Sequence, residues 1–143
     1  MSYWYLATPY SKFEGGLDAA YIAACEQAAV LLRAGIVVFS PIAHSHGIAK
    51  HGHIDPLDHN VWLPADAPLM QAAHGLILCC LPGWQESYGM EEERKAFANA
   101  GKPILYMTPW VLPADLAPGH TDLMVSPEAI DTFLCAHPPG DMK

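Results

Sequence analysis

Residues 36–39 read Ile-Val-Val-Phe, a short run with no polar residue between its members. A continuous apolar run of this length is typical of a strand buried on both faces of a parallel sheet. An alanine-rich segment from Gly16 to Ala34 precedes it, with helical spacing of its apolar residues and Gly35 as a stop. The aromatic segment Tyr3–Ala7 predicts a first strand. The opening third is therefore predicted to be a β-α-β unit.

The same alternation continues along the chain. Residues 75–81 and 103–107 are apolar and predict two more strands, and residues 87–100 predict the helix between them, closed by Gly101. Alternating elements with apolar strands favour an α/β fold. We expect one Rossmann- or flavodoxin-like domain over residues 1–143, with a mostly parallel sheet of four or five strands and helices on both faces.

The segment between the second and third strands is harder to assign. Residues 40–64 contain five histidines, two aspartates, three prolines and two glycines, which predicts a long functional loop with one short helix. A helix is expected over residues 65–73, with Pro68 in its first turn. One more short helix is expected in the proline-rich tail, over residues 127–135.

Composition excludes several classes of protein. The chain is 52% hydrophobic and carries a net charge of −8, so disorder and binding to nucleic-acid polymers are not expected. No apolar run is long enough for a membrane span, and the start of the chain lacks a basic leader. The four cysteines show no framework spacing, which favours reduced thiols in a cytoplasmic protein. No dinucleotide or nucleoside-triphosphate motif is present, so no cofactor is expected.

In such a fold, ligands bind beyond the carboxyl ends of the strands. The segments expected there are Thr8–Ser11, the histidine-rich stretch after Phe39, and residues 82–89. Ser87 is suited to cap the next helix, and Gly89 lets a ligand approach the backbone. Glu91 and Glu92 are interpreted as acids that offset the helix dipole.

The order and spacing of several motifs over residues 3–107 resemble the nucleoside 2-deoxyribosyltransferase superfamily, which includes small nucleoside 5′-monophosphate N-glycosidases. Within it, the chain most resembles a little-characterised group of small bacterial and phage proteins of the DUF1937 type. The residues that carry the likeness are Tyr5-Leu6-Ala7-Thr8-Pro9-Tyr10-Ser11, Phe39-Ser40-Pro41-Ile42-Ala43-His44, Asp66, Ser87-x-Gly89-x-x-x-Glu93 and Gly101-Lys102-Pro103.

The resemblance implies roles for individual residues. Glu93 matches the nucleophilic glutamate that attacks the anomeric carbon, and Asp66 matches an aspartate that binds the sugar and handles protons. Ser87 and Gly89 match the turn that binds a 5′-phosphate, and Tyr5 matches an aromatic residue near the sugar. Where the superfamily usually has an aspartate before the third strand, this chain has His74.

The chemistry also fits these residue types. Cleavage of an N-glycosidic bond passes through an oxocarbenium-like transition state, which a carboxylate stabilises or attacks, and a second carboxyl moves a proton to the departing base. Asp66 has an equally supported structural interpretation as a helix N-cap, and the two are not exclusive.

Other residues of the three segments are candidate substrate contacts. We expect Thr8, Pro9 and Tyr10 in the first turn to contact the substrate. His44 and His46 follow the second strand and are expected to face the base or the phosphate. The alternation of histidines with acids also allows a catalytic metal, but no spacing matches a metal motif, so none is expected.

The aromatic residues raise one further choice. Trp84, beside Ser87, is the preferred candidate for stacking on a base, whereas Trp62 is expected to pack between helix and sheet.

The sequence thus predicts an N-glycoside hydrolase or deoxyribosyltransferase for a small nucleoside or nucleotide. A non-catalytic nucleotide-binding module is the alternative, since a fold does not fix a function. The resemblance implies a homodimer or larger assembly in which Asp122 and Ser126 contribute across the interface.

Overall fold

A computed structural model describes residues 2–116. The helix expected over residues 127–135, and the interface residues Asp122 and Ser126, lie outside this range. The strands are β1 (Trp4–Ala7), β2 (Val38–Phe39), β3 (Gly75–Cys79) and β4 (Ile104–Met107). The α-helices are α1 (Leu17–Arg33), α2 (Pro41–Gly52), α3 (His59–Ala72) and α4 (Tyr88–Asn99). Single 3₁₀ turns occur at Trp84–Glu86 and Ala114–Leu116.

The four strands form one parallel sheet in the order β2-β1-β3-β4. The predicted α/β class is confirmed. Side chains alternate along β1, so that Trp4 and Leu6 pack into one core with α1, while Tyr5 and Ala7 pack into the other with α4. Both faces of the sheet are apolar, and helices cover each of them.

Gly75 fixes how closely β3 lies between its two neighbours. A Cβ atom at this position would lie 2.6 Å from the carbonyl oxygen of Pro103 and 2.6 Å from the ring of Trp4. Neither the backbone nor the packed indole has room to move, so only glycine fits at the start of this strand.

Two predictions were wrong: that the second strand is buried on both faces, and that a long loop follows it. β2 is a half-buried strand of two residues at the edge of the sheet, where it pairs with β1 alone. The predicted loop over residues 40–64 is mostly helical: it forms α2 and the first turns of α3. Ser40 caps α2 by accepting the amide proton of Ala43 at 3.2 Å, and Pro41 occupies the first turn.

The helix expected from residue 65 begins six residues earlier. Asp58 caps α3, its Oδ1 accepting the amide proton of Asn60 at 3.0 Å, and Pro64 and Pro68 both lie inside the helix. Within residues 2–116, no helix is both long and apolar enough to cross a membrane.

Candidate active site

A cleft opens at the carboxyl edge of the sheet, where the chain leaves β1, β2 and β3. A volume of about 100 Å³ within it is accessible to the centre of a water-sized sphere. The cleft lies at the switch point of the strand order, since β2 and β3 lie on opposite sides of β1. The predicted site residues that line it are Thr8, Tyr10, Asp66, Ser87, Gly89 and Glu93.

Glu93 projects from the face of α4 that packs on the sheet. Met90 and Phe97, three and four residues away, are the buried residues of this helix. The hydroxyl of Tyr5 donates a hydrogen bond to Oε1 of Glu93 at 2.9 Å. Burial raises the pKa of Glu93 to about 8; the Tyr5 hydrogen bond opposes this rise, and the charge of Asp66 adds to it. A carboxyl group that titrates near neutral pH is suited to nucleophilic or proton-transfer chemistry.

Tyr5 reaches Glu93 from the centre of the sheet. Its side chain is fully buried in the core that β1 and β3 form with α4. Burial, followed by the charges of Glu93 and Asp66, raises the pKa of Tyr5, so its hydroxyl remains a hydrogen-bond donor. The contact joins residues that are 88 positions apart in the chain.

Glu91 and Glu92 point away from the cleft. Glu91 forms a bidentate pair with Arg94, the shorter contact being 2.7 Å, and Glu92 pairs with Lys95 at 3.2 Å. The Arg94 hydrogen bond holds the pKa of Glu91 below its usual value. Of the three consecutive glutamates, Glu93 is the one that lines the cleft.

Asp66 faces the cleft from the middle of α3. The N-cap interpretation of Asp66 was wrong, because α3 begins at His59 and Asp58 holds the capping position. Burial raises the pKa of Asp66, and the nearby His44 opposes the rise. The Coulombic effect of Asp66 on Glu93 places the two carboxyl groups in one electrostatic site.

The turn after β1 forms the floor of the cleft. Thr8 is 4% exposed, and its hydroxyl has no hydrogen-bond partner among the described residues. Pro9 is buried and does not line the cleft, whereas Tyr10 does. A buried hydroxyl without a partner is costly in a folded protein, so the Thr8 hydroxyl favours a polar ligand group beside it.

Ser87 and Gly89 form the start of α4, as the sequence predicted. Oγ of Ser87 accepts the amide proton of Met90 at 3.4 Å. The amides of Tyr88 and Gly89 have no partner within residues 2–116. A Cβ atom at Gly89 would meet nothing within 4 Å. The protein does not itself fill this space, so the glycine leaves room for a ligand oxygen near the free amides.

The histidines of residues 44–59 do not converge. His44 is exposed and packs near Phe39, at 5.6 Å between ring centroids. His46 is 6% exposed and lies behind Tyr10 rather than in the cleft. His59 lines the cleft. Across residues 2–116, no group of three or more His, Cys, Asp or Glu side chains is placed to hold a metal ion.

The structure places the two tryptophans differently from the prediction, which put Trp84 at the ligand and Trp62 in the packing between helix and sheet. Trp62 lines the cleft, and its Nε1 donates to the carbonyl oxygen of Asp55 at 2.9 Å. Trp84 packs edge-on against Tyr106 in a separate surface pocket beside Arg94. The sequence favoured Trp84 as the stacking residue because it lies beside Ser87. Of the two tryptophans, Trp62 is the one that lines the cleft and is available to a ligand there.

Fold and cleft together define a doubly wound α/β domain with a ligand site at the carboxyl edge of its sheet. The model of the family described as a domain of unknown function (DUF1937) matches residues 2–109, and the chain belongs to this family. No curated protein matches the sequence significantly. The family membership confirms the part of the resemblance that concerned this small group. The relationship to the deoxyribosyltransferases stays a prediction.

Proposed function

We propose that the protein cleaves the N-glycosidic bond of a nucleoside or nucleoside 5′-monophosphate, with Glu93 as the nucleophile. The observation that carries the proposal is the contact of the Tyr5 hydroxyl with Glu93, 2.9 Å, in a cleft that also contains Asp66. This donor favours the ionised form of a carboxyl group that burial would otherwise keep protonated.

The first chemical step requires one proton between the two carboxyl groups. With that proton on Asp66, the carboxylate of Glu93 attacks the anomeric carbon. The glycosidic C–N bond breaks, its electron pair goes to the base, and Asp66 donates its proton to a nitrogen of the base. Burial raises the pKa of Asp66, which favours its protonated form and supports its role as a proton donor.

The second step restores the enzyme. Ionised Asp66 removes a proton from water, the water oxygen attacks the anomeric carbon, and the ester bond to Glu93 breaks, releasing its carboxylate. If a second base nitrogen attacks instead, the protein is a transferase. The cleft residues support both outcomes, since neither requires a further group from the protein.

Other parts of the proposal follow the same resemblance. We expect a homodimer or larger assembly, with Asp122 and Ser126 contributing to the neighbouring site. We expect the protein to act in the cytoplasm. Among residues 2–116, Cys25, Cys79 and Cys80 form no disulfide with one another, which fits a reducing compartment.

Release of free base, measured by chromatography, tests the proposal. The panel contains ribonucleosides, deoxyribonucleosides and their 5′-monophosphates, each with and without an acceptor base. Glu93→Gln should reduce release by on the order of 10³-fold or more. Glu92→Gln is the matched control, because Glu92 lies one residue away and pairs with Lys95 outside the cleft.

The outcomes separate the alternatives. Release that requires an acceptor base identifies a transferase, and release into water identifies a hydrolase. Nucleotide binding without release from any member of the panel would instead identify a non-catalytic binding module. Equal release by wild type and Glu93→Gln would remove Glu93 from the mechanism.

A further inference from the structure

Asp66 lies in a stretch of α3 that the helix itself holds only weakly. Pro64 and Pro68 flank it, and neither has an amide proton to donate to the carbonyl oxygen one turn earlier. No residue of α3 is fully buried, so packing along the helix contributes little to fixing its position. The place of Asp66 in the cleft therefore depends on the contacts at the ends of α3.

The carboxyl-terminal end of α3 is anchored by a lysine from outside the helix. Nζ of Lys102 donates to the carbonyl oxygen of Met70 at 3.1 Å and to that of Ala73 at 2.7 Å. It also donates to the carbonyl oxygen of Gln71. All three protons of the ammonium group are thus directed at one helix end. A positive charge also suits this end, because the helix dipole is negative there.

Lys102 is itself fixed to the end of α4, the helix that carries Glu93. Its amide donates to the carbonyl oxygen of Phe97 at 3.0 Å, and its ammonium group lies 5.7 Å from the centre of the Phe97 ring. Phe97 follows Glu93 by about one helical turn. Its ring packs against that of Tyr5, the hydrogen-bond partner of Glu93, at 5.6 Å between centroids. One side chain therefore joins the ends of the two helices that supply the carboxyl groups of the cleft.

We propose that Lys102 is a positioning residue: by anchoring the end of α3 to the end of α4, it holds the carboxyl group of Asp66 beside that of Glu93. Lys102 lines a groove between the two helices and not the cleft, so it acts through Asp66. The inference rests on the proposed function, in which Asp66 gives its proton to the base while Glu93 attacks. A displacement of about 1 Å can cost on the order of a hundredfold in rate, so an anchor outside the cleft is able to control activity.

The titration of Glu93 reports where Asp66 lies. Among the described residues, the titratable side chains of other elements that contact Glu93 or share its cleft are Tyr5, Tyr10, His59 and Asp66. Of these, Tyr5 lowers the pKa of Glu93 and the charge of Asp66 raises it. When α3 moves outward, the effect of Asp66 and the burial of Glu93 both decrease, so the pKa of Glu93 falls. Loss of a positive charge alone would raise that pKa.

Four variants test the proposal without turnover. Lys102→Met removes the ammonium group and keeps an unbranched apolar stem. The carboxyl resonance of Glu93, followed by nuclear magnetic resonance as the pH is varied, gives its acid dissociation constant, which should rise about twofold or more, the lower limit of coupling between neighbouring residues. Asp66→Asn should change this constant less in the Lys102→Met background than in wild type. Lys102→Arg should restore the wild-type titration, because a guanidinium group also offers several donors. Lys95→Met is the matched control, since Lys95 pairs with Glu92 at 3.2 Å outside the cleft.

A second anchor tests the same claim with no change of charge. The hydroxyl of Tyr3 donates to the carbonyl oxygen of Leu69, at the same end of α3, at 2.7 Å. Tyr3→Phe should therefore also lower the pKa of Glu93, by less than Lys102→Met does, because it removes one hydrogen bond and not three. If Lys102→Met does not fold, Tyr3→Phe decides the question.

Two results would overturn the proposal. The first is a loss of thermal stability in Lys102→Met and Tyr3→Phe with an unchanged pKa of Glu93, since the anchors would then only stabilise the fold. The second is a raised pKa of Glu93 in Lys102→Met, the effect of lost charge alone.

Base release distinguishes failure of this inference from failure of the proposed function. In Lys102→Met, kcat should fall by about tenfold or more, with a smaller change in KM, because Asp66 acts in the chemical step. Base release by the wild type with no response of the Glu93 titration would support the function and refute the inference. The expected titration without base release by the wild type would support the positioning of Asp66 and refute the function.

Discussion

Replacement of Glu93 by glutamine should stabilise the fold, and the gain should grow with pH. Burial places the pKa of this carboxyl at about 8, against an ordinary value of 4.5. In the unfolded chain the group ionises near its ordinary value, whereas in the fold it keeps its proton over a wider range. The contribution of Glu93 to the stability of the wild type is therefore complete below pH 4.5 and is lost as the pH rises through about 8. Glutamine has nearly the same shape and never ionises.

The size of the effect follows from the two pKa values. Each pKa unit corresponds to ~1.4 kcal/mol, so ionising Glu93 in the fold costs roughly 5 kcal/mol of stability relative to the unfolded chain. That figure is an upper bound, because the cleft opens to water. We expect Glu93→Gln to be more stable than wild type. The difference in the free energy of unfolding should grow by on the order of 2–5 kcal/mol between pH 5 and about pH 8.5.

Urea unfolding followed by circular dichroism measures this gain at three pH values across the range. Glu92→Gln is again the control, because it removes a surface pair with Lys95 at 3.2 Å, a change worth at most about 1 kcal/mol. A stability difference between wild type and Glu93→Gln that stays constant across the range would refute the account of a buried carboxyl with a raised pKa.

Three other predictions concern the cleft. Tyr5→Phe should raise the pKa of Glu93, the proposed nucleophile, and Asp66→Asn should lower it. The inflections in the pH profiles of base release by the two variants should therefore move in opposite directions. Movement in the same direction would contradict the electrostatics of the site. Gly89→Ala should leave the melting temperature unchanged or higher, since its Cβ meets no protein atom, yet reduce base release; unchanged release would show that no ligand uses this space. Trp62→Ala should weaken nucleoside binding by about tenfold, the effect of losing one base stack, whereas Trp84→Ala should have little effect on the dissociation constant measured by calorimetry.

Periodicity and apolar runs were sufficient to predict the four strands and the helices α1 and α4. The strand Gly75–Cys79 is buried at every position, so its composition alone reveals it. The region after β2 could not be predicted in the same way. Helix α3 has no fully buried residue and contains Pro64 and Pro68, so it lacks an apolar stripe and contains two apparent breakers. The capping residues Ser40 and Asp58 were the usable signals for these helices.

The candidate site was predictable where local spacing determines it. Glu93 lies three residues from Met90 and four from Phe97, which turns it toward the sheet, and Ser87 is a recognisable cap. Long-range contacts were not predictable. No local pattern indicates that the hydroxyl of Tyr5 reaches α4. Trp62 lies on α3, and Pro64 and Pro68 made this helix hard to predict from the sequence.

Trapping the covalent intermediate tests the central claim most directly. A 2-deoxy-2-fluoro nucleoside slows the second step more than the first, because the fluorine withdraws electrons from the anomeric centre. Mass spectrometry of the reacted protein should show one added fluorosugar per chain and one released base, with the modified peptide containing Glu93. Base release with no adduct on Glu93, or neither release nor adduct from a nucleoside that binds, would contradict the assignment of Glu93 as the nucleophile.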